Sequence, residues 1–171
     1  MRLFIAAETP KEIEDYFKSI QEKIRNKAAA IVFTKTFHLT FKFLGEVDES
    51  MASKIKEELE KIKFEPFKVA TSEIGFFPSA AKPRVIWIGL KNEEKIYSLQ
   101  SAIDAALEKY FPPEKRFHPH LTLGRIKSVF DLKALLKKLR SIELEEKTFE
   151  IKRIYLFKST LTRYGPIYEK L

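Results

Sequence analysis

The sequence predicts an α+β protein: two pseudo-symmetric lobes, each an antiparallel sheet backed by helices. Three observations predict it. Short apolar runs alternate with amphipathic stretches along the whole chain, with no Gly/Ser linker or low-complexity segment between them. RLFIAAE begins at Arg2 and RVIWIGL at Arg84, a shift of 82 positions. HLTF begins at His38 and HLTL at His120, the same shift of 82. Residues 1–171 therefore read as one domain with an internal repeat, about 1–80 and 81–171, a period too long for a solenoid.

Each element has its own signal. RLFIAAE (2–8) is a buried strand. Thr9, Pro10 and Glu12 read as an N-cap, a first-turn proline and a capping-box glutamate for a helix with Ile13, Phe17, Ile20 and Ile24 on one face. IVFTKTFHLTFKFLG (31–45) alternates with period two, as strands do. Asp48 caps a second helix whose stripe is Met51, Ile55, Leu59 and Ile62. KVATSEIGFFP (68–78) and RVIWIGL (84–90) are strands, with Trp87 expected in the core. Asn92 is expected to cap a helix carrying Ile96, Leu99, Ile103 and Leu107, stopped by Pro112-Pro113. HPHLTLGRI leads into a helix from Ser128, with Asp131 at the capping-box position. The tail from Lys147 reads as two strands joined by a turn near Arg163–Pro166.

Composition excludes several classes. The chain has no cysteine, so it has neither a disulfide scaffold nor a thiolate metal site nor a cysteine nucleophile. No apolar run approaches the roughly 18–20 residues that span a membrane, and the N-terminus does not read as a signal peptide. A cytoplasmic protein without a membrane partner is the expectation. The net charge of +8 favours anionic partners such as nucleic acid.

Only three histidines occur, and two of them open the repeated string. On a strand, His38 and Thr40 face one side while Leu39 and Phe41 face the other, and His120 and Thr122 oppose Leu121 and Leu123 in the same way. Two lobes packed about a pseudo-twofold would bring both His-Thr pairs to one cleft. Opposed imidazoles suit displacement at phosphorus, because acid and base must flank the attacking and leaving oxygens. Threonine hydroxyls can donate to the non-bridging oxygens, and Arg125 can add a forked cation. Lys42 continues the His38–Thr40 face by alternation, which leaves it two places: the cleft, as a substrate-binding residue, or the solvent outside it. Two other readings stand beside this one. The repeat could preserve merely structural histidines, and His38, His118 and His120 could hold a metal, although no carboxylate ligand is evident nearby. His118 precedes Pro119 and reads as peripheral.

The motifs HLTFKFLGEV and HLTLGR, the opening RLFIAAE and the closing LFKSTLTRYGPIYEKL together resemble the two-histidine phosphoesterase superfamily, in particular its RNA 2′,3′-cyclic phosphodiesterase branch, also called 2′-5′ RNA ligase. The resemblance covers nearly the whole chain. It implies a single two-lobed α+β domain with a central active-site cleft, which opens a terminal cyclic phosphate to a 2′-phosphomonoester, or joins RNA ends through a 2′-5′ linkage without ATP. It further implies His38 as proton donor and His120 as proton acceptor, although the reverse reaction exchanges these roles. Thr40 and Thr122 would hold the phosphate, Arg125 would match the family's arginine, and no metal or cofactor would be needed. The implied partner is RNA with a 2′,3′-cyclic phosphate end, tRNA halves among the candidates, acted on by a monomer. Two rivals remain: an RNA-end binding module with little turnover, and a phosphodiesterase for small nucleotide cyclic phosphates.

Overall fold

In the computed structural model, which describes residues 1–163 and 165–171, the elements run in this order: β1 (Arg2–Glu8), α1 (Lys11–Ile24), β2 (Ala29–Phe33), β3 (His38–Glu46), α2 (Glu49–Lys61), β4 (Phe67–Phe77), β5 (Val85–Lys91), α3 (Glu93–Leu107), β6 (His120–Val129), α4 (Leu132–Arg140), β7 (Thr148–Ile151), β8 (Tyr155–Thr162) and β9 (Gly165–Lys170). The protein is α+β. Among the described residues, nine strands form one antiparallel sheet, ordered β7-β4-β5-β6-β3-β1-β8-β9, with β2 paired to β6. The two flanks of the sheet are thus mosaics of the chain: β8 from the tail pairs with β1, and β4 from the first half pairs with β5. They meet through one residue pair, Leu39 opposite Leu121. Beyond that pair β3 diverges from β6, and β2 takes over the β6 edge.

The four helices cover one face. Ile13, Phe17, Ile20 and Ile24 of α1 and Ile96, Leu99, Ile103 and Leu107 of α3 pack on Leu3, Ile5, Leu39, Phe41, Ile86, Ile88, Leu121 and Leu123. Each such fully buried side chain contributes roughly 1.5–3 kcal/mol, so this face anchors the sheet. The opposite face is left to the histidines.

Several local signals were read differently by the fold. Thr9 does not cap α1; its hydroxyl donates to the Phe37 carbonyl, and Pro10 holds the cap position. Asp48 does cap α2, accepting from the Met51 N–H. Asn92 precedes α3 in left-handed backbone, and its amide donates to the Lys68 carbonyl across the β4–β5 edge instead of capping. Ser128 belongs to β6, so α4 starts later than expected and Asp131 is its N-cap, accepting from the Ala134 N–H. α3 ends at Leu107, before the prolines. Among the described residues the tail holds three strands, because residues 152–154 separate β7, which pairs with β4, from β8, which pairs with β1. The expected turn near Arg163–Pro166 includes Tyr164, which lies outside the described residues.

Candidate active site

Both His-x-Thr strands behave as the alternation requires. Leu39, Phe41, Leu121 and Leu123 are buried against the helices, while His38, Thr40, His120 and Thr122 are half-buried on the open face. In an antiparallel register, Leu39 opposite Leu121 sets His38 beside Thr122 and Thr40 beside His120. The two histidines are then diagonal neighbours on that face.

After Thr40 and Thr122 the alternation fails, and it fails identically in both strands. Ala6 pairs with Thr40, Ile5 with Lys42 and Phe4 with Phe43, so Phe41 and Lys42 together oppose Ile5. Trp87 pairs with Thr122, Ile86 with Gly124 and Val85 with Arg125, so Leu123 and Gly124 form the matching bulge. A bulge inserts one residue and re-aims every side chain after it. Two consequences follow. Arg125, which strict alternation would send to the helices, is delivered to the cleft face. Lys42 is turned the other way.

Lys42 therefore corrects the expectation that it shares the His38–Thr40 face. It is 3% exposed, pairs with Asp104 of α3 and donates to the Pro112 carbonyl at 2.6 Å. Asp104 also accepts from the Gln100 amide at 2.7 Å and the Glu114 N–H at 2.9 Å. Burial alone would raise its carboxyl pKa, but the bonds from Lys42, Gln100 and Glu114 outweigh it and hold the group below the usual range. On the other strand, the carbonyl of the bulged Leu123 is taken up by the buried Gln21 amide and the Thr34 N–H. Both bulges are thus tied to the helical layer by polar bonds.

The position equivalent to Arg125 in the first strand is Phe43, 65% exposed and stacked obliquely on Phe4. The cleft has one cationic and one aromatic flank, and the sequence reading passed over Phe43. No residue of β3 marks the bulge that exposes Phe43, whereas Gly124 marks the one before Arg125, since glycine inside a strand often marks a bulge. A Cβ there would lie 2.9 Å from Ile31.

Each imidazole sits among aromatic rings. His38 packs against Phe4, Phe157 and Tyr168, at centroid distances of 5.0, 6.1 and 5.0 Å. Burial pushes its pKa down to about 4, helped by repulsion from His120. His120 lies edge-on to Phe77 at 4.8 Å and beside Trp87 at 6.1 Å. Trp87 is buried as expected, yet it faces the site, not the helical core. The His120 Nδ1 bonds the His118 carbonyl at 2.7 Å, which leaves Nε2 to the cleft. Burial lowers the His120 pKa; the carbonyl opposes this, and the charges of His118 and Arg125 reinforce it. His118 contributes to the site through its backbone. Arg125 also acts on Tyr168, whose pKa burial raises and Arg125 lowers, so guanidinium and phenol share the cleft. Among the described residues, no three His, Asp or Glu side chains converge to hold a metal ion, and no helix is long and apolar enough to cross a membrane.

The low His38 pKa has a stability consequence. A folded value near 4 against an unfolded 6.5 favours the neutral ring in the fold. The stability this gives is complete above pH 6.5 and is lost as pH falls from 6.5 towards 4, by about 3 kcal/mol. Urea unfolding at pH 7 and pH 4.5 should show a smaller acid loss for His38→Gln than for wild type. Equal losses would contradict the placement of the ring.

The class so defined is an α+β protein whose curled antiparallel sheet presents two histidines in one cleft. The chain belongs to the LigT-like phosphoesterase family, whose model matches residues 3–87 and 88–168. Among its relatives, the RNA 2′,3′-cyclic phosphodiesterase of Methanocaldococcus jannaschii is 38% identical over 173 residues, covering 99% of this chain and 97% of that protein. The protein of the same name from Archaeoglobus fulgidus is 34% identical, covering 100% and 98%. Among solved structures, TT0787 of Thermus thermophilus superposes with a TM-score of 0.80 at 26% identity, covering 100% of this chain and 95% of that one. E. coli LigT, complexed with NADP+, shares the fold with a TM-score of 0.75 at 22% identity, over 99% and 94%.

Proposed function

We propose that this protein is an RNA 2′,3′-cyclic phosphodiesterase that leaves a 2′-phosphomonoester. The observation carrying this reading is the Leu39–Leu121 register, which sets two imidazoles diagonally across one cleft with a threonine hydroxyl beside each. The names of the relatives above support the substrate class. His120, its Nδ1 bound to a carbonyl, accepts the proton of water at Nε2 as the water oxygen bonds to phosphorus. The P–O3′ bond breaks, and His38 protonates the departing O3′. Thr40 and Thr122 donate to the non-bridging oxygens and Arg125 neutralises the growing charge. Phe43 offers its exposed ring to the terminal base. Substituting an RNA 5′-hydroxyl for water gives a 2′-5′ joint by the same displacement, with tRNA halves as fitting substrates. A monomer supplies every group invoked, and the cysteine-free chain suits a cytoplasmic setting.

The His38 pKa decides when the acid is loaded. At about 4, only one enzyme in roughly a thousand carries the proton at pH 7 in the empty cleft. A bound phosphate monoanion about 4 Å away is worth about 4 kcal/mol at an effective dielectric near 20, or roughly three pKa units. The substrate itself therefore charges its acid. The imidazole with the lower pKa depends most on that anion.

A substrate panel tests the reading. A single-stranded RNA with a 2′,3′-cyclic phosphate end should be hydrolysed in the presence of EDTA, with a bell-shaped pH dependence of kcat. Tight binding without turnover would favour a binding module instead. Turnover confined to mononucleotide cyclic phosphates would point to a small-molecule enzyme.

A further inference from the structure

Next to the His120 side of the cleft lies a second depression, which the proposed chemistry does not use. It encloses about 490 Å³ and is lined by Lys82, Pro83, Arg84, Ile126, Lys127 and Leu132 among others. Both of its walls continue from the active site. One is the segment after Phe77, whose ring packs edge-on against His120. The other is the end of β6 just after Arg125, so Lys127 follows two residues on, with Cα atoms no more than about 7 Å apart.

The lining contains three cations and no carboxylate. Lys82, Arg84 and Lys127 are exposed, and none makes an ion pair or side-chain hydrogen bond among the described residues. The nearest acid in sequence, Asp131, is turned to the first turn of α4, where it accepts from Ala134 N–H. The site is also prearranged. The Arg84 N–H donates to the Phe77 carbonyl and the Ile126 N–H to the Arg84 carbonyl, which pins the 78–83 loop at both ends, and Pro83 in it is buried. Phe130, two residues before Leu132, holds its ring in solvent at 71% exposure. Unpaired cations lining a groove, with an open aromatic ring on the chain between its Val129 and Leu132 walls, are the kind of arrangement that single-stranded nucleic acid binds, backbone on the charges and a base on the ring.

We propose that this depression binds the backbone phosphates of single-stranded RNA immediately upstream of the terminal nucleotide, with Lys82, Arg84 and Lys127 as the phosphate contacts and Phe130 as a stacking surface. It rests on the RNA reading above and sharpens it: the enzyme selects RNA ends over mononucleotides through a second site beyond the chemistry. Three lost contacts lower the salt dependence of binding by a log–log slope of about 2 and raise KM by about tenfold or more near 0.1 M salt.

The test compares wild type with the Lys82→Ala/Arg84→Ala/Lys127→Ala variant, and separately with Phe130→Ala. The probes are an oligonucleotide of about ten residues with a cyclic-phosphate end and a mononucleotide 2′,3′-cyclic phosphate. Expected is a wild-type preference in kcat/KM for the oligonucleotide that collapses at least tenfold in the triple variant and less in Phe130→Ala. Equilibrium binding of the same oligonucleotide to the triple variant should show the shallower salt slope. An unchanged substrate preference and an unchanged slope would overturn the inference. If wild type hydrolysed neither probe, the phosphodiesterase reading would fail, and the salt slope of binding would still decide whether this site exists.

Discussion

Replacing His38 or His120 with alanine is expected to lower kcat/KM on a cyclic-phosphate RNA by about 10²–10⁴-fold in each case. The two effects should not multiply. Acid and base act in one displacement, so the double variant should be little worse than the poorer single one. The threonines, Arg125 and Phe43 remain in place in all three variants, so binding should weaken far less than turnover. His120→Ala also frees the His118 carbonyl, yet that group is at the strand start, where solvent can replace the lost bond. Wild-type turnover in either single variant would remove the paired-histidine mechanism.

The second large effect concerns stability. Lys42→Ala should destabilise the fold by about 3–5 kcal/mol, because it strands the Asp104 carboxylate among α3 and the segment before β6 with its closest cation gone. Lys42→Met/Asp104→Leu should recover most of that loss, since removing both charges leaves neither unpaired. Urea unfolding of the two variants gives the comparison. A loss below about 1 kcal/mol in Lys42→Ala would show that the pair does not hold the bulge. The same bulge carries Phe43 to the cleft, so the single variant should also raise KM, which a lysine merely lying on the surface would not do.

The contrast between Lys42 and Arg125 shows what was legible in the residues. Alternation placed His38, Thr40, His120 and Thr122 on one face, because a strand's period of two is a local property. The fold class, the helices and their buried faces followed from periodicity for the same reason. Alternation then misplaced Lys42, since a bulge depends on the partner strand, where one residue of β1 or β5 faces two. It also gave no account of how Arg125 reaches the cleft. Gly124 was a visible mark of the second bulge, whereas nothing in Phe41-Lys42 marks the first. Thr9 and Asn92 fit their capping signals by type, but longer-range carbonyls at Phe37 and Lys68 claimed their side chains. The strand exchange between the chain's halves was equally hidden, since which strand pairs with which is settled by packing. We propose that the 82-residue shift nonetheless reflects a duplicated half-domain, with Phe43 and Arg125 as its diverged equivalents.

The most direct test of the central claim is the product formed from a defined RNA ending in a 2′,3′-cyclic phosphate, read by phosphorus NMR with wild type, His38→Ala and His120→Ala in parallel. The account predicts a 2′-phosphomonoester from wild type and unreacted cyclic phosphate from both variants over the same time. A 3′-phosphomonoester, or the same 2′-product from either variant at the wild-type rate, would contradict it.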